Sequence, residues 1–169
     1  MANVASGGAG TCAGVLSTQS EGWARGFGLA AAPSGETHRM DWNSTIPFQM
    51  NGGNNTWGTP IQIIGSEDTP FDNTNTRFRI TGIFISDAQR TATLTQIQFA
   101  CGETPNWDNT DPFFTGFYAQ IIPTLGNAVE RIMVDAARCT KFTKVWARCW
   151  VSGQPSGTID FFASLIEYP

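Results

Sequence analysis

The stretch Thr140–Val151, reading T-K-F-T-K-V-W-A-R-C-W-V, restricts the fold more than any other part of the chain. Read as a strand, it sends successive side chains to opposite faces. One face carries Thr143, Val145, Ala147, Cys149 and Val151, all small and mostly apolar. The other carries Phe142, Lys144, Trp146, Arg148 and Trp150, an alternation of rings and cations. A helix would scatter both sets around its circumference. The pattern therefore predicts a central strand of an all-β domain, with its small face inward and its ring–cation face against a second layer or another protein. Phe142, Trp146, Arg148 and Trp150 are the candidate interface residues.

The rest of the chain supplies strands to accompany it. Runs rich in β-branched and aromatic residues occur at Thr45–Met50, Thr59–Gly65, Arg77–Ile85, Thr91–Cys101, Phe113–Pro123 and Thr158–Tyr168. The Arg77–Ile85 and Thr91–Cys101 runs, joined by the polar Asp87-Ala88-Gln89-Arg90, read as a hairpin. Asn51–Asn55, N-G-G-N-N, reads as a turn because Gly and Asn tolerate positive φ. Glu21–Asn55 otherwise reads as irregular, with one short strand near Ile46–Met50. Asn127–Arg138 fits either a capped helix or a strand, and the sequence leaves both open. In the last run both faces are apolar, so it should be covered on both sides. About eight short strands with long polar loops predict an antiparallel β-sandwich, jelly-roll in topology. An immunoglobulin-like sandwich lacks its Cys…Trp…Cys spacing here, and a lipocalin-type barrel is the other alternative.

Length and composition set the organisation. With 169 residues there is room for one domain and a short arm. Residues 1–20 contain no charged side chain and little bulk, so they read as a flexible or partner-ordered arm ahead of a single sandwich, 21–169. Charged residues make up 14% of the chain, against about 25% in ordinary globular domains, beside twelve Phe and six Trp. So little charge with so many rings points to surface that other copies cover. A net charge of −4 and the lack of any basic run speak against a nucleic-acid partner. No apolar run reaches the ~18 residues that a membrane helix needs, so no membrane is expected.

Four cysteines, Cys12, Cys101, Cys139 and Cys149, are few and dispersed. Cys139 and Cys149 on one extended segment would lie roughly 30 Å apart and could not pair. A secretory signal is absent or already removed, and four buried free thiols, as in a reducing cytoplasm, are expected.

Catalytic signatures are missing, and no enzymatic activity or cofactor is expected. His38 is the single histidine, which leaves neither a zinc set nor a Ser-His-Asp triad to assemble, and a loop position at the surface is its expected place. Asp68/Asp72/Asn73/Asn75 and Asp108/Asn109/Asp111 offer oxygen ligands, but turn formation explains them without a metal. Trp42, Trp57 and Trp107 fall in predicted loops. They are candidate glycan contacts should the domain be a carbohydrate-binding module, lectin-like or a receptor-binding part of a fibre, and plugs of the sandwich or of a subunit seam otherwise.

Lys144–Val151, followed by Ser152-Gly153-Gln154-Pro155-Ser156-Gly157-Thr158-Ile159-Asp160, resembles the closing hairpin of small jelly-roll virion proteins of tailed bacteriophages. The resemblance spans about residues 77–169. It implies a capsid decoration or cement protein with no catalytic residues. The expected partners are the major capsid protein or other virion subunits, and a homo-oligomer of its own kind, with a trimer favoured. Its place would be the virion, after synthesis in the host cytoplasm.

Overall fold

A computed structural model describes residues 25–68, 75–88, 95–107, 117–121, 130–134, 138–152 and 156–169. Eleven strands run through them: β1 Arg25–Ser34, β2 His38–Asp41, β3 Phe48–Asn54, β4 Ile61–Ile64, β5 Arg77–Ala88, β6 Thr95–Cys101, β7 Phe117–Ile121, β8 Glu130–Met133, β9 Cys139–Thr140, β10 Val145–Val151 and β11 Ser156–Tyr168. The described residues include no helix. All eleven strands are hydrogen-bonded into one mixed sheet.

Two strands organise the sheet. β11 has β5 along one edge, from Ile159 to Tyr168; its other edge is shared by β3, over Ser156–Phe161, and β1, over Ala163–Leu165. β10 pairs with β6 over its whole length, and its other edge is shared by β4 and β3. β3 thus joins the two halves, antiparallel to β11 and parallel to β10. β7 extends the sheet beyond β6, while β8 and β9 cover the far edge of β5. β7 lies against β8 and β2 against β4, so the sheet rolls into a barrel-like body. The chain is all-β, as expected, in the manner of a sandwich or jelly roll.

The core forms where the rolled sheet faces itself. Phe27, Phe48, Phe161 and Phe99, from β1, β3, β11 and β6, are all buried and meet in sequence with centroid separations of 5.9, 5.6 and 6.5 Å. The outer two contacts are edge-to-face. Such pairs contribute about 0.5–1.5 kcal/mol beyond area burial. The small face of β10 turns inward as predicted, with Val145, Ala147, Cys149 and Val151 all buried. Small residues are needed there because β3 passes closely: a Cβ on Gly52 would collide with the Val151 side chain.

Several expectations give way. Glu21–Asn55 is not irregular: from Arg25 it contains the β1–β2 hairpin and then β3. Gly- and Ala-rich β1 has little strand propensity of its own; its pairing with β11 and the burial of Phe27 hold it. The expected turn at Asn51–Asn55 is mostly strand, since β3 runs to Asn54 and only Asn55 takes a left-handed φ, 52°. The expected β5–β6 hairpin does not form, because β11, β8 and β9 occupy both edges of β5. β10 and β11 do not close as a hairpin either: β3 lies between them. Within the open segment 127–138, Glu130–Met133 is a strand, with Ile132 opposite Ile83 and packed on the core. The arm expected at residues 1–20 lies outside the described residues.

The thiol expectation is overturned. Cys101 and Cys139 form a disulfide, and Cys149 is the buried free thiol. Separation along one segment correctly keeps Cys139 from Cys149, but it says nothing of β6. Cys101 ends β6 opposite Val145, and the chain folds back between Cys139 and Val145, which brings the two sulfurs together. Cys12 lies outside the described residues.

Candidate functional site

Directly opposite residues of neighbouring antiparallel strands share a face, so the register fixes the outer surface around β10. Trp146 stands opposite Ala100, Arg148 opposite Gln98 and Trp150 opposite Gln96. Arg148 is the centre of this surface. Its Nε donates to Gln98 Oε1 at 2.8 Å, and Gln98 is wholly buried. Its guanidinium lies 4.6 Å from the Trp57 ring centroid and 4.2 Å from that of Trp107. Two loops are thereby fastened to one strand. Trp57 is placed by a β-bridge to Trp150, and Trp107 by the segment Gly102–Trp107 that turns back after β6. Trp146 Nε1 donates to Gly102 O at 3.0 Å and anchors the start of that segment.

The candidate residues therefore regroup. Trp57 and Trp107, read as glycan contacts, join Arg148, Trp146 and Trp150, read as interface. Trp42 stands apart, edge-on to Phe27 at 5.6 Å and packed against the core. Phe142 and Lys144 also leave the ladder, because β10 begins only at Val145. The three tryptophans do not make one flat platform: two clasp a guanidinium and the third plugs the core.

Phe142 belongs to a second place, the end of the barrel where β4, β6, β9 and β11 finish and β5 and β10 begin. Tyr168 faces Arg77, which faces Thr140, and Val145 faces both Ile64 and Cys101. The turn between β9 and β10 closes through Thr143 N to Thr140 O at 3.2 Å and a 2.7 Å contact between the two threonine hydroxyls. Phe142 sits in it with φ 66° and 55% exposure. Lys144 lies beneath, its Nζ bound to Glu36 at 3.2 Å and to Glu103. The hydrogen bond to Glu103, then that to Glu36, raises its pKa above the ordinary 10.5. On the other side Arg138 and Arg79 lie 4.3 and 5.6 Å from the ring centroid of buried Tyr168.

His38 is half-exposed at the surface, as expected, but on β2 rather than in a loop. Its Nδ1 meets Asp68 Oδ1 at 2.6 Å. Asp68 is buried and also accepts from the backbone N–H of Arg39, Met40 and Gly65 at 2.7–3.1 Å. Both its oxygens are taken up in tying the loop after β4 to β2, which is a structural task. Among the described residues no three His, Cys, Asp or Glu side chains converge as metal ligands. Sequence reasoning missed Asp68 as a hub; a lone Asp after Gly65-Ser66-Glu67 carries no signal of four donors arriving from elsewhere. Cys149 is no nucleophile: burial pushes its thiol from 9.0 up to about 12.

No family model matches the chain, and the searches of curated proteins and of solved structures return no match.

Proposed function

We propose that this chain is a structural virion protein, a capsid decoration or cement protein or a related assembly subunit, working by burial of surface between copies and against a major capsid protein or another virion subunit. The observation that carries the reading is the position of Arg148 between Trp57 and Trp107. A sugar stacks on a free, flat aromatic face, and each of these rings already has one face on a guanidinium. Trp42, the third ring of that alternative, is turned edge-on into the core. The large apolar side chains that do stand in solvent among the described residues are Ile46, Met133 and Phe142, none of them a ring pair on which a sugar could stack. Low charge and a net −4 favour protein partners over nucleic acid. A disulfide forms in oxidising surroundings, which a released particle meets and the cytoplasm of its synthesis does not. No catalytic step is part of the reading.

The experiment is recovery of the protein on assembled particles at fixed copy number. Deletion of residues 1–20 should lower that occupancy while leaving the melting of the isolated domain within a few degrees. Absence from purified particles, or glycan-array binding by a monomer, would replace this reading with the carbohydrate-binding one.

A further inference from the structure

Phe142 is costly twice over in an isolated chain. A bulky residue at φ 66° occupies backbone space that Gly or Asn adopts far more readily. Its ring is also 55% exposed, so it gains little burial in return. The turn that holds it is nonetheless fixed firmly, by the Cys101–Cys139 disulfide on one side and by Lys144 between two glutamates on the other.

The exposed charges around this turn are sorted, although the acidic side also holds buried Lys144, which already binds Glu36 and Glu103, and part-buried Arg39. On the side of β5 and β9 lie Arg77, Arg138 and Lys141, the first two exposed. On the side of β4 and β6 lie Glu36, Glu67 and Glu103, all three exposed. In a chain with only 14% charged residues, one end carries a basic half and an acidic half with an exposed ring between them. Such a surface is complementary to itself when turned about a two-fold axis near the ring.

We infer that this end of the barrel is a self-association surface whose occupant is a second copy of the chain, with Phe142 near a two-fold axis and each basic half facing the partner's acidic half. The inference rests on the reading of an assembly subunit and deepens it. It also sets the smallest complex at a dimer, where the resemblance implies a trimer. Burial of Phe142 across the axis offsets what the ring and its backbone cost the monomer, and the charge halves fix the register. Like charges meeting in any other rotation would disfavour it.

The test is analytical ultracentrifugation of the full chain over a dilution series, at ~0.1 M and at ~0.5 M salt. The parent should reach a dimer whose dissociation weakens in the higher salt. Phe142→Gly should raise the dissociation constant about tenfold or more, as loss of a central aromatic anchor does, and at concentrations where both are monomers it should melt no lower than the parent. Arg77→Glu and Glu67→Lys should each fail to dimerise alone and should dimerise when mixed, because the two reversals complement each other. Association that Phe142→Gly leaves unchanged, a mixture that stays monomeric, or a parent that sediments as a trimer or only as a monomer would overturn the inference. A trimer with full particle occupancy would leave the assembly reading standing on another surface. A dimer absent from particles would do the reverse.

Discussion

The guanidinium of Arg148 lies 4.2 Å from the ring centroid of Trp107, and its Nε donates to Gln98 directly opposite on β6. With Trp57 on another side, one side chain fastens two loops to the sheet.

Arg148→Ala should therefore cost more than an ordinary surface truncation. Each cation–π contact at a half-buried site contributes about 0.5–1 kcal/mol, and leaving a buried Gln98 acceptor unbonded costs about 1–3 kcal/mol. A loss of roughly 2–5 kcal/mol in urea unfolding is expected, with a red shift in tryptophan emission as Trp57 and Trp107 loosen. Arg148→Lys should recover only part, since an ammonium cannot lie flat against a ring. Equal stability of all three proteins would mean that the stack is decoration.

Reduction should destabilise the native protein. The Cys101–Cys139 bond closes a loop with a sequence separation of 38, and loop-closure entropy puts its contribution at about 4 kcal/mol. The melting temperature should fall by roughly 8–16 °C in reductant, at about 2–4 °C per kcal/mol for a chain of this size. Intact-mass analysis should show this disulfide, and Cys149 should resist alkylation until the protein unfolds. An intact mass with all four cysteines reduced, and a melting temperature that reductant leaves unchanged, would restore the expectation read from the sequence.

Where the sequence was legible, one local signal sufficed. β10 could be read because the alternation of Val145, Ala147, Cys149 and Val151 with Trp146, Arg148 and Trp150 has a single structural meaning. β1 could not, because Gly26, Gly28 and the alanines carry no strand preference, and their pairing with β11 spans more than 130 residues. The parallel contact of β3 with β10 is equally silent, since it depends on Gly52 and Gly53 fitting beside Val151 and Thr56. The candidate site was half legible. The right residue types were chosen, but Trp57, Trp107 and Arg148 meet only after three separate segments fold, and Phe142 left the ladder because its backbone turns at φ 66°.

Asp68 gives the next expectation. Asp68→Ala removes both carboxylate oxygens, so the N–H groups of Arg39, Met40 and Gly65 lose the acceptor they share. Hydrogen bonds to a charged acceptor contribute about 1.5–3 kcal/mol each, with partial compensation on relaxation. A net loss of roughly 2–4 kcal/mol is expected, and the amides of Met40 and Gly65 should exchange hydrogen faster than those of β11. Unchanged exchange at both amides would remove Asp68 from its role as the tie between β2 and the loop after β4.

Alkaline pH supplies the last test, and its sign follows from two groups. Folding raises the pKa of Cys149 from 9.0 to about 12 by burial, so the native state keeps a proton that the unfolded chain releases. Folding also raises the pKa of Lys144 above 10.5, through Glu103 and Glu36. In both cases the native state binds more protons than the unfolded state, so stability falls as pH rises. The Cys149 contribution is intact below pH 9 and is lost progressively up to about 12, at about 1.4 kcal/mol per pH unit, or up to about 4 kcal/mol in all. The Lys144 contribution is present below 10.5 and is lost above it, as pH passes through the raised value. Urea unfolding of the parent at pH 8, 9.5 and 11 should show a steepening decline. Cys149→Ala removes the first term and should decline less between pH 9 and 10.5, though it starts lower at pH 8 for want of a packed sulfur. Parallel declines for the two proteins would mean that Cys149 ionises in the folded state near its ordinary value, and that the inner face of β10 admits water.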